Sequence, residues 1–124
     1  MPPHSSLMAF LATTNPERAK AFFRDVLNLT FVADEPYALI FDVQGTMLRI
    51  QKVREFTPFP FTALGWKVAD IRATIPELVG KGVTFERYDF LTQDADGVCT
   101  FPGEAEVAWF KDPDGNLISL TQFA

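Results

Sequence analysis

Histidine and cysteine, two side chains that often carry catalysis, each occur once in this chain. The only histidine, His4, lies in a proline-rich stretch before the first predicted strand, where a side chain is usually exposed and idle. The only cysteine, Cys99, has no histidine near it to take its proton, so a buried strand thiol is a simpler interpretation than a nucleophile. Four further side chains could join in a site from scattered positions: Glu35, Gln51, Glu55 and Gln122. Their spacing gives no reason to expect one.

The first half of the chain predicts one helix among four strands. The strands are predicted at residues 7–13, 30–33, 37–43 and 46–52. Asn15 is a good N-cap and Pro16 suits the first helical position, so a helix is expected over residues 17–27. Gln44 and Gly45 fit a short hairpin turn between the last two strands. The predicted order of elements is therefore βαβββ.

The second half repeats this order with a less regular helix and one additional predicted strand. Its strands are predicted at residues 63–68, 84–88, 98–101, 107–111 and 117–122. Asp70 can cap a helix from Ile71 that would then contain Pro76, whereas Thr74 offers a later start with the proline in the first turn. In either case the helix ends near residues 80–82, where glycine suits a C-cap.

The predicted fold class is α+β, with two βαβββ modules that form a cleft-bearing mixed sheet. We predict a single domain over residues 1–124, with a first module at 7–53 and a second at 63–124. Residues 54–62 form a linker, since two prolines in three residues exclude a helix. The linker also carries three phenylalanines that we expect to pack on the domain or on a partner subunit: Phe56, Phe59 and Phe61.

Composition excludes several classes of protein. With 124 residues, 48% of them hydrophobic and 22% charged, the chain is typical of one globular domain. A net charge of −5 argues against a nucleic-acid partner, which needs clustered Lys and Arg. No stretch approaches 18 consecutive apolar residues, so we expect no membrane span. A single cysteine and no evident secretory signal fit a cytoplasmic location.

The repeated βαβββ order carries a resemblance to a known group of proteins. Together with the helix motif at residues 15–23 and the turn Asp112-Pro113-Asp114-Gly115-Asn116, it makes the chain similar to the vicinal oxygen chelate superfamily. This group includes glyoxalase I, fosfomycin- and bleomycin-resistance proteins and extradiol dioxygenases. The resemblance implies the glyoxalase/bleomycin resistance/dihydroxybiphenyl dioxygenase fold, with a ligand cleft between the two modules.

The resemblance also implies where a metal would bind. Enzymes of the superfamily hold one divalent metal with His, Glu or Gln side chains from the first strand of each module and from the strand after its glycine turn. The matching positions here are Met8, Arg49, Ala63 and Ser119. A thioether, a guanidinium, a methyl group and a hydroxyl do not hold catalytic zinc, nickel or iron, and the neighbouring residues supply no better ligand. We therefore expect neither a metal nor another cofactor.

Strand alternation predicts which side chains share a face with these positions. The predicted cleft face carries nine candidate ligand-binding residues: Met8, Phe10, Met47, Arg49, Gln51, Lys67, Leu117, Ser119 and Thr121. The opposite face is almost wholly apolar, as a sheet beneath helices requires. Trp109 is a tenth candidate, although the sequence leaves open whether Trp109 or Phe110 faces the cleft.

Arg49 is the candidate with the most informative chemistry. A buried guanidinium suits a carboxylate, phosphate or phenolate, which it can bind through two hydrogen bonds. The alternative is that Arg49 only fills the metal position and pairs with an acidic neighbour, the candidates being Asp34, Glu35 and Asp42.

Three functions remain open from the sequence. The first is a glyoxalase/bleomycin-resistance-like protein that binds an unidentified small molecule in its cleft without a metal. The second is a metal-dependent lyase, isomerase or dioxygenase, which needs ligands that this sequence does not offer. The third is a non-catalytic structural module whose cleft is filled by its own side chains. The resemblance further implies a homodimer.

Overall fold

The computed structural model describes residues Met1–Ala124 and divides into two compact units. The first unit is Met1–Thr57 and the second is Pro58–Ala124. Each unit contains one four-stranded sheet and one principal helical region. No helix has the length and apolar character needed to cross a bilayer.

The first unit has the predicted βαβββ order. Its elements are β1 (Met8–Thr13), α1 (Pro16–Ala21), a π-helical turn (Phe22–Val26), β2 (Thr30–Asp34), β3 (Ala38–Val43) and β4 (Thr46–Lys52). The strand order in the sheet is β1-β4-β3-β2, with β1 parallel to β4 and the other neighbours antiparallel. Gln44 and Gly45 both have positive φ, at 50° and 87°, which confirms the predicted hairpin turn.

The helical region of the first unit starts where the capping residue predicts. The Asn15 side chain accepts a hydrogen bond from the backbone N–H of Arg18 at 3.2 Å. After Ala21 the helix widens into the π-helical turn, in which the N–H of Leu27 donates to the carbonyl of Phe22. This segment presents the fully buried Phe23 to the sheet, where its ring lies 6.0 Å from that of Phe41.

The second unit repeats the architecture with a shorter edge strand. Its elements are β5 (Leu64–Lys67), α2 (Ile71–Gly80), β6 (Cys99–Phe101), β7 (Ala105–Lys111) and β8 (Leu117–Phe123). The strand order is β5-β8-β7-β6, with β5 parallel to β8. The helix-facing side of this sheet is apolar, as predicted, and includes the fully buried Phe110 and Ile118.

Asp70 decides where α2 begins. Its side chain accepts a hydrogen bond from the N–H of Ala73 at 3.1 Å. Thr74, the alternative cap, instead lies inside the helix, and its hydroxyl donates a hydrogen bond to the Asp70 backbone carbonyl at 2.8 Å. The early start is therefore correct, and Pro76 lies within the helix. Burial of Ile71, Ile75 and Leu78 offsets the backbone hydrogen bond that the proline cannot make.

The strand predicted at residues 84–88 is not formed. This segment makes one isolated β-bridge, between Phe85 and Phe110, and then leaves the sheet. The same edge of β7 is paired further along with β6. The Gln93 side chain stabilises the loop between Phe85 and β6. Its carbonyl oxygen accepts a hydrogen bond from the N–H of Tyr88, and its amide group donates to the backbone carbonyls of Glu86 and Gly97. These bonds satisfy backbone groups that a longer strand would have paired.

Candidate functional site

The open face of the first sheet is centred on Arg49. Cross-strand pairing places Phe10 on β1 and Ile40 on β3 directly beside it. One pair further along in each direction lie the rows Met8–Met47–Asp42 and Ala12–Gln51–Ala38. Because cross-strand partners project to the same side of a sheet, these nine residues form one face.

One part of this face is apolar and open to solvent. Met8, Phe10 and Met47 have exposed fractions of 48%, 47% and 39%, and we call these three residues the apolar shelf. Ile40, on the other side of Arg49, is buried. Strand alternation explains the exposure of the shelf, since Leu11 and Leu48, which neighbour it in sequence, point the opposite way into the core.

The Arg49 guanidinium is half-buried and has no hydrogen-bond partner within the protein. Its side chain is 29% exposed, and its closest charged neighbour is Glu35, with 3.7 Å between Nη1 and Oε1. That separation allows Coulomb attraction but exceeds hydrogen-bond length. Of the three acidic candidates, Glu35 is therefore the ion-pair partner, while Asp34 pairs with Lys52.

The corresponding face of the second sheet is centred on Ser119. Its cross-strand neighbours are Gly65 on β5 and Trp109 on β7. This pairing answers the question that the sequence left open, because Trp109 shares the face of Ser119 while Phe110 is fully buried on the other side. The Tyr88 ring meets the Trp109 ring edge-on, with 5.9 Å between centroids.

The middle of this second face is closed to solvent. Leu117 and Ser119 are buried, with exposed fractions of 8% and 7%, whereas Thr121 is half-buried and Lys67 is exposed. A Cβ atom at Gly65 would lie 2.8 Å from the Ser119 hydroxyl oxygen, so the absence of a side chain at Gly65 leaves room for that hydroxyl.

The sheets bring together all ten predicted residues in two groups of five. Met8, Phe10, Met47, Arg49 and Gln51 share the open face of the first sheet. The second group shares one face of the second sheet: Lys67, Trp109, Leu117, Ser119 and Thr121. Their role as ligand-binding residues stays a prediction.

The turn that carried the family resemblance has a structural role in this protein. Asp112 is buried, and its carboxylate accepts hydrogen bonds from the N–H groups of Asp114 and Asn116 and from the Asn116 side-chain amide. Burial raises the pKa of Asp112 above its usual value, although the bonds from Asn116 oppose the shift. Gly115 has φ of +89°, which glycine adopts without strain.

Sequence reasoning missed a groove beside α2. It has a volume of about 370 Å³ and is lined by Ile75, Val79, Val83, Thr84, Phe85, Arg87, Ala95, Asp96 and Gly97. No signal in the sequence indicated this groove, because Val79 lies four residues after the buried Ile75 and is therefore expected on the apolar side of α2, although it is exposed. Arg72 on α2 forms ion pairs with Asp94 and Asp96 of the loop beside the groove, at 2.6 and 3.2 Å, and also lies 3.5 Å from Glu106.

Solved structures share this fold over almost the whole chain. TnmS3, an antibiotic binding protein from Streptomyces sp. CB03234, is 23% identical with a TM-score of 0.74, and the match covers 100% of this chain and 99% of that one. Lactoylglutathione lyase from Agrobacterium tumefaciens is 17% identical with a TM-score of 0.70, covering 98% and 95%. The fosfomycin resistance protein FosX from Listeria monocytogenes is 13% identical with a TM-score of 0.75, covering 95% and 92%. The architecture is thus the α+β fold of paired βαβββ modules.

A family model assigns the superfamily of this chain from its sequence. The model of the Glyoxalase/Bleomycin resistance protein/Dioxygenase superfamily matches residues 6–120. This protein belongs to that superfamily, as its βαβββ repeat and its Asp-Pro-Asp-Gly-Asn turn predicted. No functionally curated protein matches it in sequence.

The residues at the family's metal positions do not fit a divalent metal. Met8 and Arg49 offer a thioether and a fixed positive charge, while Ala63 and Ser119 offer a methyl group and a buried hydroxyl. A slip of one pair along each face replaces Met8 by Phe10, Arg49 by Gln51 and Ser119 by Thr121, so that Gln51 is the single side chain of a type that the family uses. One amide does not hold a catalytic metal. No cluster of three or more His, Cys, Asp or Glu side chains placed to hold a metal occurs in the structure.

Proposed function

We propose that this protein binds a small molecule without a metal ion and holds it without changing it chemically. The observation that carries the proposal is the open face of the first sheet, where the exposed apolar shelf borders the half-buried Arg49. Ligand sites generally combine an apolar wall with a few polar groups that fix orientation. Three exposed apolar side chains beside an arginine without a hydrogen-bond partner provide that combination.

Two alternatives are less well supported by the residues present. A metal-dependent lyase, isomerase or dioxygenase would need imidazole or carboxylate ligands, and the family positions supply Arg49 and Ser119 instead. A purely structural module would be expected to satisfy Arg49 internally, yet the guanidinium remains 3.7 Å from Glu35. The name of TnmS3, an antibiotic binding protein of the same fold, shows that binding is one use of this architecture.

Ligand-observed NMR with metal-stripped protein tests the proposal. A panel of neutral, anionic and cationic aromatic compounds is added, and binding by at least one class is expected. Phe10→Ser should weaken that binding several-fold, because it removes the one aromatic ring of the apolar shelf. Phe90→Ser is the matched control, since Phe90 is 81% exposed in the second unit and outside the shelf. Absence of binding by every class, or equal loss in both variants, would overturn the proposal.

A thermal-shift series tests the metal-free part of the proposal separately. EDTA-treated protein is heated with Zn²⁺, Ni²⁺, Mn²⁺ or Fe²⁺ in turn. An ion bound to the fold at 100 times its dissociation constant would add about 2.7 kcal/mol, or about 10 °C for a chain of 124 residues. We expect no such rise, and a rise with one of these ions would restore the metal-dependent alternative.

We also propose that the protein forms a homodimer, as the family resemblance implies. The rings of Phe59 and Phe61 are stacked 5.1 Å apart and are 64% and 60% exposed. An exposed apolar surface of this kind suits burial against a partner subunit. Sedimentation velocity at micromolar concentration should show a dimer, with dissociation in the double variant Phe59→Ser/Phe61→Ser. A monomeric wild-type protein would count against the dimer.

A further inference from the structure

Arg49 differs from Arg24, Arg72 and Arg87 in its hydrogen bonds within the protein. Arg24 donates to Asp25 at 2.8 Å, Arg72 donates to Asp94 at 2.6 Å, and Arg87 donates to the carbonyl of Ala95 at 2.7 Å. Arg49 donates to no protein atom within hydrogen-bond distance, although its side chain is only 29% exposed. A guanidinium carries five N–H donors in a planar fork. Those donors are therefore available to a bound molecule.

The surroundings of Arg49 determine what such a molecule must look like. Phe10 lies one strand away, and Met47 lies two residues before Arg49 on β4. Neighbouring strands are about 4.8 Å apart and alternate residues about 6.7 Å apart, so the Cα atoms of the apolar shelf lie within about 8 Å of the Arg49 Cα. A compact ligand can therefore reach both the charge and the shelf.

We infer that the molecule bound on this face carries a single anionic oxygen group, a carboxylate or phenolate, attached to an aromatic or other apolar body. The inference rests on the proposed function and specifies its ligand class. The anionic group pairs with the Arg49 fork, and the apolar body covers Met8, Phe10 and Met47. Charge-assisted, two-pronged hydrogen bonds of this type are stronger than neutral ones and fix orientation.

Two carboxylates limit the charge of the ligand. Glu35 lies 3.7 Å from Arg49, and the exposed Asp42 lies in the row next to it on the same face. Arg49 is the only cation among the nine residues of that face. A second anionic group on the ligand would meet repulsion from these carboxylates without a cation to offset it.

Glu35 has a specific role in this arrangement. It is an internal anion that attracts Arg49 without a hydrogen bond, so a ligand carboxylate competes with it for the same charge. Neutralising Glu35 should therefore strengthen binding of an anionic ligand and leave a neutral one unaffected. Because the Glu35 side chain is 51% exposed, the gain is small, at most about fivefold.

Paired probes test the inference directly. Dissociation constants of 1-naphthoate and of neutral 1-naphthamide, which has nearly the same shape, are measured by ligand-observed NMR. Wild-type protein should bind the carboxylate at least about tenfold more tightly than the amide, the range expected for hydrogen bonds to a charged group. Arg49→Gln should remove that difference. Arg54→Gln, an exposed change of the same charge in the same unit, should preserve it.

The Glu35 variant adds an effect of opposite sign. Glu35→Gln should bind 1-naphthoate up to about fivefold more tightly and 1-naphthamide unchanged. Glu77→Gln on the exposed side of α2 is the matched control and should change neither affinity. An increase for both probes, or an equal increase in Glu77→Gln, would contradict competition at Arg49.

The remaining outcomes separate this inference from the proposed function. Equal affinity for the two probes in wild type and Arg49→Gln would overturn the anionic ligand and leave metal-free binding in place. Binding only of neutral or cationic compounds from the wider panel would do the same. If no compound of any class binds, the proposed function fails and the inference fails with it.

Discussion

The buried carboxylate of Asp112 should be one of the most sensitive single positions for stability. Replacement by alanine removes an acceptor from three hydrogen bonds, with distances of 3.0 Å from the Asp114 N–H, 2.8 Å from the Asn116 N–H and 2.8 Å from the Asn116 side-chain amide. The two bonds from Asn116 are buried, and water cannot replace them without opening the turn. The N–H of Asp114 is less enclosed and can turn to solvent.

The expected cost follows from the two buried donors. Leaving a buried donor unsatisfied costs about 1–3 kcal/mol, so Asp112→Ala should lower the free energy of unfolding by about 3 kcal/mol. For 124 residues, an unfolding entropy of about 2.1 cal/mol/K per residue converts this to a fall of about 12 °C in Tm. Urea unfolding followed by circular dichroism gives the free energy, and calorimetry gives the Tm.

A matched surface variant makes the result decisive. Asp89→Ala removes the same charge from an exposed position and should change stability by less than about 0.5 kcal/mol. If Asp112→Ala costs no more than Asp89→Ala, the hydrogen bonds of the turn do not stabilise the fold and the reasoning is refuted.

Three further predictions concern pH, packing and the loop beside α2. Burial raises the pKa of Asp112 in the folded protein, so Asp112 ionises at lower pH in the unfolded chain than in the folded one. The wild type should therefore lose stability relative to Asp112→Asn from about pH 4 upward, through the folded-state pKa. A stability difference that stays constant between pH 3 and 7 would contradict this. Gly65→Ala should cost about 0.5–1 kcal/mol more in wild type than in a Ser119→Ala background, where the 2.8 Å contact is absent; a double-mutant cycle without coupling would exclude that contact. Burial raises the pKa of Asp94, but the hydrogen bonds from Arg72 and from backbone N–H groups outweigh it and leave the pKa low. In Arg72→Gln that pKa should rise in an NMR titration, and amide exchange of the neighbouring loop should accelerate; no change in either would argue against the ion pairs.

The fold could be predicted because its signals are local. Asn15 marks a helix start by the chemistry of its own side chain, and Asp70 was one of two candidate starts for the second helix; both caps are observed. Alternation of apolar and polar residues along β4, with Leu48 and Ile50 inward and Arg49 outward, sets the faces of the sheet without reference to the rest of the chain.

The failed strand prediction has a longer-range cause. Residues 84–88 have a suitable composition for a strand, but the neighbouring edge of β7 is shared with Cys99 and the residues after it. The choice depends on the side chain of Gln93, which bonds three backbone groups up to seven residues away. Nothing in the local pattern reports such a capping role.

The sequence predicted which candidate residues share a sheet face, but not their ion-pair partners or every orientation. The sequence predicted the face of Arg49 correctly, yet it gave three acidic candidates for its partner, and only coordinates select Glu35. It also left Trp109 and Phe110 undecided, because a one-residue change in turn geometry reverses both. The pairing of Trp109 with Ser119 fixes that orientation.

The parallel pairing of the outermost strands has a consequence for how the chain folds as it is synthesised. The sheet of the first unit is complete once Lys52 has left the ribosome, since β1 needs only β4 as its partner. The second sheet follows the same rule, because β5 finds its partner only in β8, about fifty residues later. Until then the four residues of β5 form an unpaired strand. This strand is a poor template for aggregation because it carries the positive charge of Lys67 and has no side chain at Gly65. Because each sheet contains strands of its own unit alone, the first sheet can assemble before the strands of the second have been synthesised.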